Sequence, residues 1–462
     1  MHMAIRCCAL LSLLIPAVSF SMGNSALDPT FGELVPFGSG ARSGVYEFQI
    51  ASDVFHVAGM SLDDNGRILT LGLTDSAMPS VQYVSRHLGS DGSLDDTFGS
   101  AGFSFPSTFR GYAGNYSKIA ADHQSSEHPP GILIAGGFDL PWGCVDSFVP
   151  ELDYAALTRF AGDGSLDAAF GLPSSLAGNA LAYWGSCDST FRHGSNASAI
   201  AVDSANRITI SGTAWNASDI PGVAMSRFLS DGKPDESFGL HGQVLTFPSA
   251  GRLFGDGLAV DPSGGVVVAG RYSDKAATSV GIALLRYNSA GLVDTNFGIS
   301  GLAVLEEYSP NFCGIAIDSQ GRVLIAAMTS SRHALIARFT AEGRLDEEFG
   351  KNGEVLLILA SELDAVAGIV VDTHDQPLVA LSLIDLGGFA AAIVHLNPDG
   401  SLNASVGEDG IYELPAVLDS VNPTSIILDG FGRPVISADV SDYGQNFGII
   451  FRYDELFGSG FD

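Results

Sequence analysis

Residues 257–270 read GLAVDPSGGVVVAG. A short run of small and apolar residues leads to an aspartate, two free positions, a glycine and a second apolar run. That order spells a β-hairpin, because the glycine supplies the positive φ that a tight turn between two strands demands. The unit returns as GMSLDDNGRILTLG from Gly59, AIAVDSANRITISG from Ala199, GIAIDSQGRVLIAA from Gly314, GIVVDTHDQPLVAL from Gly368 and SIILDGFGRPVISA from Ser425. A copy with a longer turn, KIAAD…GILIAGG, starts at Lys118. The aspartates are Asp63, Asp122, Asp203, Asp261, Asp318, Asp372 and Asp429, at steps of 59, 81, 58, 57, 54 and 57 residues, and the step of 81 marks an insertion. Three residues after the aspartate stand Gly66, Asn206, Gly264, Gly321, Asp375 and Gly432, all types that tolerate positive φ.

A second motif follows each hairpin: LTRFAGDGSLDAAFG from Leu157, MSRFLSDGKPDESFG from Met225, LLRYNSAGLVDTNFG from Leu284 and IARFTAEGRLDEEFG from Ile336. VSRHLGSDGSLDDTFG from Val84 and IVHLNPDGSLNASVG from Ile393 are looser copies. The motif adds a third strand, a turn, a Phe-Gly stop and a fourth short strand such as 243–247. Four strands per unit and seven units predict an all-β, seven-bladed β-propeller of four-stranded antiparallel blades. The segment Leu27-Asp28-Pro29-Thr30-Phe31-Gly32 with the strand-like 33–37 is the tail of a repeat, and Phe451-Arg452-Tyr453 begins one. Joining them closes the ring, an N-terminal strand completing the last blade and hiding the open edges.

Composition agrees. Charged residues make up 16% of the 462 and glycine contributes 56, a balance that suits short strands and tight turns and excludes a coiled coil or helical bundle. The net charge of −30 repels phosphates at long range, so nucleic acid is not an expected partner. The start carries Arg6, an apolar stretch over 7–18 and the small residues Ala17 and Ser19, the pattern of a secretory signal. Residues 1–19 are therefore read as signal peptide, with a cut near Ala26 as the alternative, 20–26 as linker, 27–458 as propeller and 459–462 as tail. No stretch is long and apolar enough to span a membrane as a helix, and the expected location is secreted, periplasmic or cell-surface.

The run R-[FY]-x-x-[DA]-G-x-x-D-x-x-FG with the G-[IL]-A-[VI]-D-x-x-G hairpin resembles the bacterial delta-60 repeat, a propeller repeat of unknown function. The resemblance covers roughly Leu27 to Gly458. The chain is similar, more distantly, to NHL-type propellers, which implies that the GLAVD-type strand is innermost. Neither family supplies a catalytic constellation to carry over.

Arg159/Asp167, Arg227/Asp235, Arg286/Asp294 and Arg338/Asp346 lie eight apart and Arg86/Asp95 nine apart, whereas the sixth copy has His395 and Asn403. Both charges disappear together, as expected of structural ion pairs, since either partner buried alone is costly. Asp-rich turns raise calcium, but Asp91-Gly-Ser-Leu-Asp95-Asp96 and Asp63-Asp64-Asn65-Gly66 miss the spacing of a calcium loop. No cofactor is expected, and calcium is the one alternative. His123, His128 and His193 lack zinc-site spacing, and no hydrolase elbow or phosphate loop is present.

Loops leaving the second strand or entering the first vary widely, at 42–53, 109–116, 139–153, 173–196 and 215–221. Strand alternation puts them on one face, and variable loops on a rigid scaffold are where binding resides. Arg110, Tyr112, Tyr116, Trp142, Trp184, Phe191, Arg192 and Trp215 are the candidate ligand-binding residues there. Aromatics with arginines suit a glycan or protein partner. The competing role for the rings is to fold the loops down as local cores. Cys144 and Cys187, in neighbouring loops, are expected to form a disulfide, and Cys313 to be a buried thiol. The functional expectation is an exported, non-enzymatic binding scaffold. The alternatives are a loop-assembled hydrolase or lyase acting on glycans or esters, and a purely structural envelope module.

Overall fold

The computed structural model describes residues 27–28, 30–32, 35–37, 40–42, 45–48, 55–74, 81–106, 115–123, 130–140, 152–173, 176–184, 195–248, 251–274, 280–306, 311–359, 361–385, 388–407, 409–413, 420–442 and 445–453. They form seven antiparallel sheets of the propeller kind and one small hairpin. Blade 1 runs Phe55–Leu62, Ile68–Thr74, Val81–His87 and Phe103–Ser104, each strand paired with the next. Blade 2 starts at Asn115–Ala121, blade 3 at Ala197–Val202, blade 5 at Asn311–Ile317, blade 6 at Glu362–Val371 and blade 7 at Ser420–Leu428. In blade 4 the first strand is broken into Arg252–Leu253 and Gly257–Val260, both paired with Val266–Ser273.

The seven first strands touch one another in cyclic order, that of blade 7 against that of blade 1. They are thus the innermost strands of a closed ring. The core is not one mass but seven seams. Leu324, Ile336 and Phe349 of blade 5, for example, pack on Leu363, Val379 and Leu381 of blade 6. A cluster of the same kind fills each of the other junctions. The second strands carry unbroken buried runs such as Val266–Ala269 because both of their faces meet a neighbouring blade. Each fully buried Val, Leu or Ile side chain stabilises the ring by about 1.5–3 kcal/mol.

Blade 7 takes its fourth strand from the amino-terminal end: Val45–Phe48 pairs with Gln445–Arg452, Val45 opposite Phe451. The sequence pattern pointed instead to 33–37. In the structure Val35–Phe37 turns back on Gly40–Arg42 as a separate hairpin. Gly32 bridges directly to Val45, so the hairpin is an excursion from an otherwise continuous path.

Candidate functional site

Up-and-down strands give the ring two faces. One carries the D-x-x-G hairpins and the turns before Phe-Gly. Here Arg86 Nε donates to Asp95 Oδ2 at 2.8 Å, Arg227 Nε to Asp235 at 2.8 Å and Arg338 Nε to Asp346 at 2.8 Å. Each guanidinium also lies over the phenylalanine of its own motif, 4.7 Å from Phe98, 4.3 Å from Phe238 and 4.5 Å from Phe349. A second arginine, four residues after the hairpin aspartate, binds that aspartate: Arg67–Asp63 at 2.6 Å, Arg207–Asp203 at 2.6 Å, Arg322–Asp318 at 2.5 Å and Arg433–Asp429 at 2.8 Å.

Blades 2 and 4 have Gly131 and Gly265 in that place, and the first arginine moves to compensate. Arg159 binds Asp122 at 2.8 Å as well as Asp167, and Arg286 binds Asp261 at 2.9 Å while standing 3.9 Å from Asp294. Its distance from Phe170 or Phe297 grows to 6.0 Å. The five expected ion pairs therefore exist in two arrangements. What selects between them is whether the hairpin aspartate has a cation of its own. The D-x-x-G-R spacing was visible in the sequence.

These groups also join blade to blade. Arg86 donates to the Gly162 carbonyl and Arg338 to that of Pro398, both in the next blade's turn, and Arg286 reaches Ala341 at 2.8 Å. The Phe-Gly glycines do the same through their backbone N–H: Gly99 to Asp163 at 2.7 Å, Gly171 to Asp231 at 2.8 Å, Gly298 to Glu342 at 2.7 Å and Gly350 to Asp399 at 2.7 Å. The receiving turn needs glycine too, because a methyl on Gly343 (φ 76°) would lie 2.9 Å from the Phe297 ring. Burial raises the pKa of Asp95 and Asp235, but hydrogen bonds from Thr97 and Ser237 and the arginine charges outweigh it, and both end below the usual value. At Asp122 burial wins over Arg159 and its pKa rises. The turn aspartates are engaged locally as well: Asp91 accepts from Ser93 and Asp399 from Ser401. Among the described residues no group of three or more His, Cys, Asp or Glu is placed to hold a metal ion.

The opposite face carries the connections into the first strand and out of the second. Arg110, Tyr112, Trp142, Phe191, Arg192, Cys144 and Cys187 lie outside the described residues, and Tyr116 is described only as part of the first strand of blade 2. Trp215 is half-buried at the end of a second strand. Trp184 is a core residue rather than a rim residue, 1% exposed. Its indole N–H donates to Ser226 Oγ at 2.9 Å, and the ring lies so close on Gly212 that a methyl there would be 2.6 Å away. The loop folds this ring into the seam between blades 2 and 3, where its apolar area is buried and its one donor satisfied.

Between blades 5 and 6 this face opens into a groove of about 400 Å³, lined by Ser330, Ser331, Arg332, His333, Ser361 and Glu362 above Leu357, Leu359 and Leu363. The turn Thr329–His333 presents the polar group: Thr329 N–H bonds the His333 carbonyl at 2.9 Å and Arg332 holds φ 56°. Arg332 then crosses the seam to Glu362 at 2.7 Å. Elsewhere on the face Arg271 grips Asp256 through two bonds of 2.9 and 3.1 Å, which raises its pKa, and stacks 4.7 Å from Phe254. His56 meets Asp439 at 3.1 Å across the seam of blades 7 and 1. Burial raises the Asp439 pKa, against the pull of the Val57 N–H and of His56. The groove residues are not among the candidate ligand-binding residues because none is a Phe, Tyr or Trp and they sit in short connections.

Among known proteins, the family model of a β-propeller domain of unknown function (DUF5122) matches residues 206–238 and 262–297, which lie in blades 3 and 4. The chain is 34% identical over 123 residues to sulfate adenylyltransferase subunit 1 of Methylorubrum populi, and to that of Methylorubrum extorquens to the same extent. It spans about a quarter of the length of these curated relatives, the match covering 26% of this chain and 25% of theirs. Among solved structures, polysaccharide lyase Uly1 aligns with 94% of this chain and 98% of its own at 9% identity and a TM-score of 0.45. The K499G mutant of NanB sialidase from Streptococcus pneumoniae aligns with 89% of this chain and 70% of its own at 10% identity and a TM-score of 0.39. Likenesses at this level carry no argument about activity.

Proposed function

We propose that this chain is an exported β-propeller binding scaffold, built of repeats of the delta-60 kind, whose loop face takes a glycan. The observation that carries the reading is the groove between blades 5 and 6. Its volume, about 400 Å³, is that of a small-ligand site. Serine hydroxyls, an imidazole and a bridged Arg332–Glu362 pair over leucines offer donors and acceptors for sugar hydroxyls and an apolar floor for a sugar ring. The apolar stretch at 7–18 supports export, and a Cys144–Cys187 disulfide would stiffen two neighbouring loops. The test is a glycan array with the mature protein and with Arg332→Ala/His333→Ala. Retention of a glycan by the first and its loss from the second supports the reading. Equal retention by both removes the groove from it.

The second reading, a glycan-cleaving enzyme, has one observation in its favour. Asp439, with its raised pKa, beside His56 is the kind of acid–base pair such chemistry uses. Turnover of an array-identified glycan that His56→Ala abolishes would establish it.

A further inference from the structure

The chain has four lysines against eighteen arginines, and one of the four stands in an innermost strand. The first strands share a defect. Each carries a β-bulge at the same height, with Ala58, Ser117, Ser198, Cys313, Ala367 and Thr424 as the extra residue in blades 1, 2, 3, 5, 6 and 7. Blade 4 breaks its first strand there instead. A bulge re-aims the side chain that follows it. That following residue is Gly59, Ala199, Gly257, Gly314, Gly368 and Ser425 in six blades and Lys118 in blade 2. The wall is crowded at this level, since a methyl on Gly314 would come within 3.1 Å of Ile369 and one on Gly368 within 3.2 Å of Ile426. A long side chain has to leave the wall for the open axis. Lys118 does so: it is exposed although its strand is the innermost of its blade.

From the bulge to the hairpin aspartate, no other first-strand residue is charged. Lys233, by contrast, is paired with Asp231 at 2.7 Å, and Lys351 is exposed in a turn. Lys118 has no hydrogen-bond or ion-pair partner among the described residues, in a chain with 52 acidic groups. Solvent reaches it, yet enclosure by the channel wall strips enough water to lower its pKa. An ammonium that faces an enclosed channel without a counter-ion is stabilised by an anion brought from outside. The first strands are edge strands of their sheets, so their inner edges carry no strand partner within the blade.

We propose that Lys118 anchors an anion site in the central channel that takes a monocarboxylate, either a small organic acid or an acidic sugar. One cation balances one charge, and the field of a chain at −30 disfavours a dianionic phosphate. The site is separate from the groove of blades 5 and 6 and stands or falls without it.

Four lysines make the test direct. Reductive methylation with ¹³C-formaldehyde keeps each charge and gives one resolved signal per lysine, and Lys118→Met identifies its own. Titration uses sodium acetate, sodium glucuronate, inorganic phosphate and glucose, with sodium chloride matching ionic strength. The Lys118 signal shifts saturably with acetate or glucuronate, its pKa rises on binding, and phosphate binds about tenfold more weakly. A response to glucuronate alone assigns the sugar acid, and equal responses assign a free carboxylate. Lys118→Arg retains binding and Lys118→Met weakens it about tenfold or more. A shift no larger than that with sodium chloride overturns the proposal, as does saturable binding that Lys118→Met leaves intact.

Discussion

Blades 5 and 6 are adjacent copies of one repeat, and they fasten to their successors differently. Blade 5 uses Arg338, Asp346, Phe349 and Gly350, and reaches the blade 6 turn at Pro398 and Asp399. Blade 6 has His395, Asn403, Val406 and Gly407 at the corresponding places, and Gln376 where blade 5 has Arg322. His395 Nε2 meets Gln376 Oε1 at 2.9 Å, and burial lowers the histidine's pKa, against the pull of Asp372, so the ring is neutral. The whole set differs, not one residue: where blade 5 has a cation and a carboxylate, blade 6 has an imidazole and two amides. An arginine placed at 395 alone would be buried beside Asn403 without a carboxylate, and an unpaired buried charge costs more than a neutral polar pair. The charged fastener persists where both of its charges do.

The largest test of that contrast removes the carboxylate from each blade. Asp346→Ala leaves Arg338 buried without its partner and destabilises the ring by about 3–5 kcal/mol in urea unfolding, whereas Asn403→Ala costs about 1 kcal/mol. Equal losses would break the comparison. Next is the receiving turn. Gly343→Ala meets the Gly298 backbone nitrogen at 2.7 Å at positive φ and loses about 3 kcal/mol or more, while Gly432→Ala, with nothing within 4 Å, loses only the backbone term of about 1–2 kcal/mol. Writing the fastener into blade 6, as His395→Arg/Asn403→Asp/Val406→Phe, gains nothing and costs about 1–3 kcal/mol by overpacking. A stabilised triple variant would show that the neutral set is not the better fit to blade 6.

Acid separates the two seams more gently. A histidine held neutral in the folded state has its pKa depressed, so its contribution is present above the unfolded value near 6.5 and fades as pH falls through the folded one. His395 therefore loosens blade 6 below pH ~6.5, and His87, buried and held down at about 3, does the same in blade 1. The depressed aspartates Asp95 and Asp235 keep their blades fastened until pH drops below ~4. Hydrogen exchange between pH 6.5 and 4.5 is expected to rise at the His395 amide, bonded to Gly410, before it rises at the Arg338 amide, bonded to Gly353. His395→Gln removes that difference.

The number of blades and the strands of each were legible because the hairpin and Phe-Gly motifs are local, spelled within fifteen residues. The pair that closes the ring was not. Arg452 Nε donates to Asp28 Oδ2 at 2.7 Å, and the guanidinium lies 4.4 Å from Phe31, but these residues stand at opposite ends of the chain. They are the blade 7 copy of Arg338, Asp346 and Phe349, divided by the ring junction. The closing strand was misplaced for a similar reason: 33–37 is as strand-like as Val45–Phe48, and the hairpin between them leaves no local signal of which one reaches blade 7. At the candidate site, loop lengths pointed to the face that carries the groove between blades 5 and 6. The aromatic criterion chose Trp184, whose ring serves the core, and passed over the serines and charges of the groove, which carry no pattern in one dimension.

The junction itself is the most direct place to measure. Glu47 and Ile449 stand opposite each other across the closing pair of strands. Glu47→Cys/Ile449→Cys, oxidised in air and digested, yields a disulfide-linked peptide joining the amino-terminal and carboxy-terminal segments, and the linked protein melts at a higher temperature than its reduced form. Two freely alkylatable thiols and no linked peptide would contradict a ring closed by Val45–Phe48.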